Sequence, residues 1–282
     1  MLIKSIQPEL SIAQSMPRFK GYYSLVGLRA KFDNKGLVYW EIDICDYDTC
    51  LTIYTRGIEH ITNQLEPFGF IQVEVKLKVQ CGISYLIADF IEPVHELPFH
   101  IANEKLIPYA ACVTHQDLLS LTHILGQIHT KELLGFTREV LLQANVMLPF
   151  LRNPASIRYH HNYNGGLLRH SIDVASRTSS ANLNQNEREL FIVAGLLHDI
   201  GKVRTHTAQM DFTELGQYIL HDALTLEVCA APLKRLENLN PKFANMLRHC
   251  WTCATPNARY GMKVKHRVAS LLQKADSESA GM

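Results

Sequence analysis

Between Ile71 and Val79, apolar and polar residues alternate without a break. Successive side chains of a β-strand point to opposite faces of the sheet, so the alternation predicts a strand with one buried and one solvated face. Similar runs rich in Val, Ile, Tyr and Phe lie on both sides of it, separated by turn signals such as Asp33–Gly36. About five strands are expected between Gly21 and Pro93. That number in so short a segment favours a small closed barrel.

A connection from Pro93 to Pro108 ends this pattern, and apolar residues then recur at intervals of three and four. That spacing predicts amphipathic helices in HQDLLSLTHILGQI, GGLLRHSIDVAS and NERELFIVAGLLHDIGK, with Asn186 as the N-cap of the last. The chain is therefore predicted to be α+β with two domains, an OB-like five-stranded β-barrel followed by an all-helical domain. The expected boundaries are a lead-in at 1–20, the barrel at 21–95, a linker at 96–110 and the helical domain at 111–282.

Charge and cysteine content limit the classes of protein to which the chain can belong. The formal net charge is +1, so a nucleic-acid partner would have to use a local basic patch. Seven cysteines do not make a disulfide scaffold in a chain of this size, and neither a signal peptide nor a membrane span is recognisable. A cytoplasmic location without a membrane partner is expected, and a homo-oligomer stays open. Cys250 and Cys253 form a C-x-x-C pair, for which a role in zinc or redox chemistry is the less favoured interpretation.

The segment LLHDIGK, residues 196–202, concentrates the candidate chemistry. His198 and Asp199 follow a strongly apolar helical run, and burial of an unpaired carboxylate is costly. Neighbouring helical residues point about 100° apart, so both side chains can reach one ion only beside the end of the helix. Gly201 is expected to let the backbone bend away there. A His-Asp doublet alone is also compatible with a hydrogen-bonded pair that holds no metal.

Further candidate ligands occupy separate helical runs. The chain has 14 histidines, most of them after residue 114, and histidine is the commonest metal ligand in proteins. Imidazole and carboxylate ligands together favour Mn, Fe, Zn or Co over Ca. Besides the doublet, these runs contain His170, His221, His249 and Asp276.

This order of ligands resembles the HD superfamily of metal phosphohydrolases. Within that superfamily, HHNYNGGLLRHSIDVA, LFIVAGLLHDIGK and FTELGQYILHD resemble the 3′–5′ exoribonucleases that join an OB-fold to an HD domain. The segment HHNYNGGLLRH is also similar to the HD-type relaxases of conjugative elements. The resemblance extends over roughly Gly21 to Asp276 and is more specific for the HD core than for the barrel.

The resemblance implies a set of site residues. One divalent ion would be bound by His170, His198, Asp199 and Asp276, and a second would be completed by His221 and His249. Cys250 stands where many two-metal members have a second histidine, which leaves the number of ions at one or two. Mn is the expected metal, with Fe, Co, Zn and Mg as alternatives. Lys202 and Arg158 lie near the motif in sequence and could neutralise phosphate charge. The expected catalytic group is therefore His198, Asp199 and Lys202, and the expected substrate contacts are His160, His161, Arg158 and Lys202.

The predicted barrel is rich in aromatic and basic residues. Stacking on aromatic rings beside basic groups is how OB-folds bind single strands, although such rings also fill barrel cores. The aromatic candidates are Tyr22, Tyr23, Tyr39, Trp40, Tyr54 and Tyr85, near Lys20, Arg29, Lys31, Lys35, Arg56, Lys76 and Lys78.

Three functions are consistent with the sequence. The leading hypothesis is a metal-dependent phosphodiesterase, or nuclease, that shortens single-stranded RNA or DNA from the 3′ end. The second is an HD phosphohydrolase of nucleotides or other small phosphoesters. The third is a relaxase-like or non-catalytic nucleic-acid-binding module. A bound divalent ion would lower the pKa of water and activate it for attack in the first two cases.

Overall fold

The computed structural model describes residues 7–98, 101–177, 182–255, 258 and 261–281. Its described residues form two compact units. One contains the chain up to Ala111 together with Leu142–Ala144, and the other contains Cys112–Leu141 and the chain from Asn145 onward.

The first unit is a closed five-stranded barrel, which confirms the predicted strand number and closure. Neighbouring strands follow the order β1-β2-β3-β5-β4, and β4 pairs with β1 to close the barrel. The β3–β5 contact is parallel and the other pairings are antiparallel. The strands are β1 Arg18–Phe32, β2 Val38–Cys45, β3 Cys50–Thr55, β4 Phe70–Gln80 and β5 Ile83–Val94.

The alternation in β4 predicts its inward face correctly in the first half of the strand but not at its end, where Val79 is 64% exposed. Ile71, Val73 and Val75 are buried in the barrel core, and the polar residues between them are only partly covered. Part of the expected lead-in differs from the prediction, because β1 begins before residue 21 and a short helix, α1 Leu10–Ala13, contributes Leu10 to the same core. Apolar burial explains the difference, since Leu10 is fully removed from solvent.

A disulfide joins Cys45 at the end of β2 to Cys50 at the start of β3. The two cysteines face each other in the antiparallel register of these strands. The sequence analysis did not predict this cross-link. The other five cysteines are free, including Cys250 and Cys253. The Sγ of Cys253 accepts a hydrogen bond from the amide of Gln273, which gives this thiol a structural contact.

The second unit is helical, as predicted. None of the helices in the described part of the chain is long and apolar enough to span a membrane. The helices are α2 His115–Leu125, α3 Lys131–Leu141, α4 Ala144–Arg152, α5 Gly166–Ser176, α6 Gln185–Leu197, α7 Lys202–Thr205, α8 His221–Val228, α9 Ala230–Leu239, α10 Pro241–Thr252 and α11 Arg267–Ser279.

Helix α6 is the central element of the helical unit. Every residue from Glu189 to Leu197 is buried, and α3, α5, α10 and α11 all contact the helix. A helix that is apolar on all sides must be covered by protein on all sides. The polar residues that follow its last turn therefore lie in the interior of the helical unit. Its N-cap is Asn184, which forms a capping box with Glu187, and not Asn186 as expected. Both asparagines have a glutamate three residues later, but Glu189 is buried and accepts a hydrogen bond from the backbone nitrogen of Thr130, whereas Glu187 completes the capping box with Asn184.

Candidate metal centre

The His-Asp doublet lies at the C-terminal end of α6. His198 is the C-cap residue of α6 and Asp199 follows it, with its side chain almost fully buried. Gly201 has an ordinary helical φ of −59°, so the backbone bend expected there does not require glycine. Its role is steric, because a Cβ on Gly201 would lie 2.0 Å from the carbonyl oxygen of His221. The absent side chain thus lets the start of α8 approach the doublet closely.

Four of the predicted ligands converge on one point. Nε2 of His170 lies 3.2 Å from Nε2 of His198 and 3.1 Å from Oδ1 of Asp276. Nε2 of His198 lies 3.4 Å from the same Oδ1. Oδ2 of Asp199 lies 3.5 Å and 3.4 Å from the two imidazole nitrogens. Helix α5, the turn after α6 and helix α11 therefore place two imidazole nitrogens next to each other, with carboxylate oxygens of Asp199 and Asp276 around them.

This spacing fits a divalent transition metal. Bonds of about 2.1 Å to nitrogen and oxygen ligands, separated by angles between 90° and the tetrahedral angle, place the donor atoms about 3.0–3.4 Å apart. The measured separations of 3.1–3.5 Å lie in or next to that range. Mixed imidazole and carboxylate donors suit Mn, Fe, Co or Zn. The residues present thus fit a cation.

The electrostatics of the cluster keep its carboxylates ionised. Burial alone would raise the pKa of Asp199, but His198, Lys202 and His221 outweigh it and hold that pKa well below its usual range. Burial also acts to raise the pKa of Asp276, and hydrogen bonds from His170 and His198 reverse the direction. The pKa of His198 is raised, because the attraction of the two carboxylates exceeds the effect of its burial. The raised pKa of His198 favours its protonated form, whose positive charge offsets part of the carboxylate charge.

A second group of donors shares Asp199. Oδ1 of Asp199 lies 3.0 Å from Nε2 of His221, and this nitrogen lies 3.3 Å from Oδ1 of Asp222. The two oxygens of Asp199 thus belong to different groups. Asp222 is not among the predicted ligands, although His221-Asp222 is a second His-Asp doublet in the chain. That repeated doublet is the signal that could have found it.

Lys202 and His249 occupy different positions relative to these groups. Lys202 is buried and its Nζ donates a hydrogen bond of 2.5 Å to Oδ2 of Asp199. His249 is in neither group of candidate ligands among the described residues. Its Nε2 accepts a hydrogen bond of 3.0 Å from the backbone nitrogen of Lys265. The structure therefore brings His221 together with Asp222 and not with His249.

A histidine pair lies beside the first group. The ring centroids of His160 and His161 are 5.3 and 5.4 Å from that of His170. Burial, followed by the nearby His170, lowers the pKa of both residues. Nδ1 of His161 lies 2.9 Å from the hydroxyl of Tyr163. The pair is therefore neutral near pH 7 and able to donate or accept hydrogen bonds at the site.

The loop that carries this pair is constrained. His161 has a φ of 51°, a left-handed conformation that is strained for a residue with a side chain. Its carbonyl accepts a hydrogen bond from the backbone nitrogen of Ala155, and a Cβ on Gly166 would lie 2.0 Å from the same oxygen. Arg158 in this loop is exposed, and its backbone nitrogen bonds Ser156. Within the part of the chain that the structure describes, its guanidinium forms no ion pair with the donor groups.

Comparison with known proteins agrees with this geometry for the helical unit. The model of the HD domain family matches residues 167–281. No curated protein matches the chain. The match includes every candidate metal ligand and supports the HD superfamily of metal-dependent phosphohydrolases. The barrel lies outside it, so the OB-type identity and the exoribonuclease and relaxase resemblances stay predictions.

Proposed function

We propose that the chain is a metal-dependent phosphodiesterase of single-stranded nucleic acid, with activity like that of a 3′–5′ exoribonuclease. The observation that carries the hydrolytic part is that Nε2 of His170 and Nε2 of His198 lie 3.2 Å apart and that each lies within 3.5 Å of a carboxylate oxygen of both Asp199 and Asp276. A divalent cation held there supplies a Lewis acid for a phosphoryl oxygen and an activated water.

The side chains around this centre have separable tasks. Asp199 anchors both donor groups through its two oxygens, and Lys202 compensates the negative charge of its carboxylate. His160 and His161, as neutral imidazoles beside His170, are suited to hydrogen-bond the phosphate or sugar of a substrate. A second cation would use Asp199, His221 and Asp222, with His249 as the more distant ligand that the resemblance implies.

The nucleic-acid part of the proposal draws on a cleft of about 610 Å³ in the barrel. Three tyrosines line it, with ring centroids 6.4 Å apart for Tyr39–Tyr54 and 6.0 Å for Tyr54–Tyr85. Two cations of the cleft, Arg56 and Lys76, pair with acidic residues, and Lys78 is a third. Aromatic faces beside a few cations suit stacked bases of a single strand, as in an OB-fold. Other candidates serve the fold, since Tyr23 is fully buried in the core.

The activity is tested with end-labelled RNA and DNA oligomers and Mn²⁺. We expect single strands to shorten from the 3′ end, and His198→Ala and Asp199→Asn to abolish this. His123→Ala, which removes an exposed histidine of α2, is the matched control. Intact oligomers of both kinds, with cation bound, would remove the nuclease proposal. Tight strand binding without cleavage would instead indicate the non-catalytic module.

A phosphohydrolase of nucleotides is the second candidate. The observation that favours it is the pairing of Arg56 with Asp33 at 2.6 Å and of Lys76 with Asp89 at 2.6 Å, which leaves little positive charge to attract a polyanion. Phosphate release from a panel of nucleotides, with oligomers untouched, identifies this activity. Because the metal centre is shared, the two candidates differ in substrate and not in the residues that hold the cation.

A further inference from the structure

The two histidines of the first donor group are fixed by different partners. Each offers Nε2 to the centre, so its ring orientation depends on what Nδ1 contacts. Nδ1 of His198 lies 2.7 Å from the carbonyl oxygen of Gly195, one turn earlier in its own helix. Nδ1 of His170 lies 3.1 Å from the hydroxyl of Ser279 on α11. Only the second of these contacts depends on a side chain that can be substituted.

Ser279 is itself held by a carboxylate. Its hydroxyl hydrogen-bonds the side chain of Asp173, which lies on α5 one turn after His170. Nη2 of Arg177 donates to Oδ2 of Asp173 at 2.9 Å, and Nη1 of the same guanidinium contacts Glu278 at 3.2 Å. Arg177 therefore links the Asp173 side chain to the last turn of α11.

Counting protons gives the direction of each bond. Partial burial would raise the pKa of Asp173, but the hydrogen bonds from Ser279 and Arg177 lower it, so the carboxylate is ionised and accepts only. The single proton of Ser279 is then donated to Asp173. The lone pairs of the hydroxyl remain for His170, whose Nδ1 must donate. When a cation takes the place of the proton that Nε2 shares with Asp276, an imidazole that keeps its proton on Nδ1 presents the lone pair of Nε2 to the cation.

We propose that Ser279 and Asp173 are positioning residues that set the tautomer and ring orientation of His170 for cation binding. The inference rests on the cation site of the proposed function and not on its substrate. Hydrogen bonds to the second nitrogen of a ligating histidine fix its tautomer and increase its basicity. Asp276 and Ser279 lie one turn apart on α11, so this turn supplies both a ligand and the support of another ligand.

Cation affinity is the first test. We expect Ser279→Ala to weaken the binding of Mn²⁺ or Zn²⁺, measured by calorimetry, by about 10–100-fold, the range typical for the loss of such a support. Asp173→Asn should act in the same direction, and Ser279→Thr, which keeps the hydroxyl, should restore most of the affinity. Ser277→Ala is the matched control, because Ser277 is an exposed serine of the same helical turn.

The second test reads the tautomer directly. In the Zn²⁺-loaded protein, the ¹⁵N shifts of His170 should report a protonated Nδ1 and a ligating Nε2. This signature should weaken or become mobile in Ser279→Ala and persist in Ser277→Ala. Helical circular dichroism of each variant establishes that the fold is intact, so that a folding defect is not mistaken for a loss of positioning.

The outcomes separate this inference from the proposed function. Equal cation affinity and equal ¹⁵N signatures in wild type and Ser279→Ala overturn the inference and leave the proposed function standing. Affinity that depends on Ser279, together with intact oligomers, supports the inference and overturns only the nuclease proposal. A wild-type protein that binds no divalent cation overturns both.

Discussion

Nε2 of His170 lies 3.2 Å from Nε2 of His198, although the two residues are 28 positions apart and on different helices. Two imidazole nitrogens this close repel unless a proton or a cation lies between them. The carboxylates of Asp199 and Asp276 face the same point. The arrangement is therefore best understood as a set of donors assembled for a shared positive charge.

The buried pair of Asp199 and Lys202 gives a first prediction. Their side chains are only 7% and 10% exposed, so Asp199→Asn leaves a lysine charge without its carboxylate. We expect the free energy of unfolding of the metal-free protein, measured in urea, to fall by about 3–5 kcal/mol. Adding Lys202→Met should recover part of this loss without restoring cation binding.

An exposed ion pair provides the control for this measurement. Glu237→Gln removes the partner of Lys234 and Arg248 at an exposed position, and it should cost much less than Asp199→Asn because exposed ion pairs contribute little. If Asp199→Asn costs no more than Glu237→Gln, the buried pair does not contribute as argued.

The close approach of Gly201 to α8 gives a second prediction. A Cβ at this position would lie 2.0 Å from the carbonyl oxygen of His221, so Gly201→Ala must displace the start of α8. We expect the free energy of unfolding to fall by about 1–3 kcal/mol. The affinity for any cation bound by Asp199, His221 and Asp222 should fall by more. Gly126→Ala, where the nearest contacts are 3.4 Å, should be close to neutral in both measurements. Similar behaviour of the two variants would contradict the steric argument.

His206 predicts a pH dependence of stability. Burial, and then the positive charge of Lys202, lower its pKa to about 4. The unfolded chain takes up this proton near pH 6.5, so between about pH 4 and 6.5 it binds more protons than the folded chain. Stability should therefore fall as the pH falls through this window.

The variant His206→Gln isolates that contribution. Urea unfolding of the metal-free protein should show a shallower decline in stability between pH 6.5 and 4 than wild type. His123→Gln, at an exposed position of α2, should leave the slope unchanged. An unchanged slope in His206→Gln would show that this histidine is not held neutral in the fold.

The barrel cleft gives a prediction for strand binding. Tyr54→Ala or Tyr85→Ala should weaken the affinity for a single-stranded oligomer by about 1–3 kcal/mol, the contribution of one stacked base. Phe90→Ala is the control, since Phe90 is an exposed aromatic of the same strand as Tyr85 but does not line the cleft. Lys78→Ala should reduce the salt dependence of binding by about 0.7 in log–log slope. Equal binding by all these variants would place the strand elsewhere.

The sequence predicts well those features that depend on local periodicity. The alternation in Ile71–Val79 identifies β4 and the buried face of its first half, and the apolar run before His198 identifies α6 as the helix that ends at the doublet. The capping box was not decided by this periodicity, because Asn184 and Asn186 are each followed by a glutamate three residues later and the structure uses Asn184 with Glu187.

Other features depend on the rotation of each helix about its own axis and on which helices pack against each other. The grouping of His221 with Asp222 and the hydrogen bond from Lys265 to His249 follow from tertiary packing. The contact between Ser279 and His170 joins residues 109 positions apart. No local sequence pattern encodes these pairings. A family resemblance predicts roles only for the residues that match the family's motifs.

Helix α11 has a consequence for the order in which the site can form. It carries Asp276 and Ser279, whereas the partners of these residues lie on helices encoded much earlier. While the chain is being synthesised, His170, His198 and Asp199 leave the ribosome well before α11 does. The nascent helical unit must therefore hold an incomplete donor set, and a cation can be enclosed only after α11 has docked.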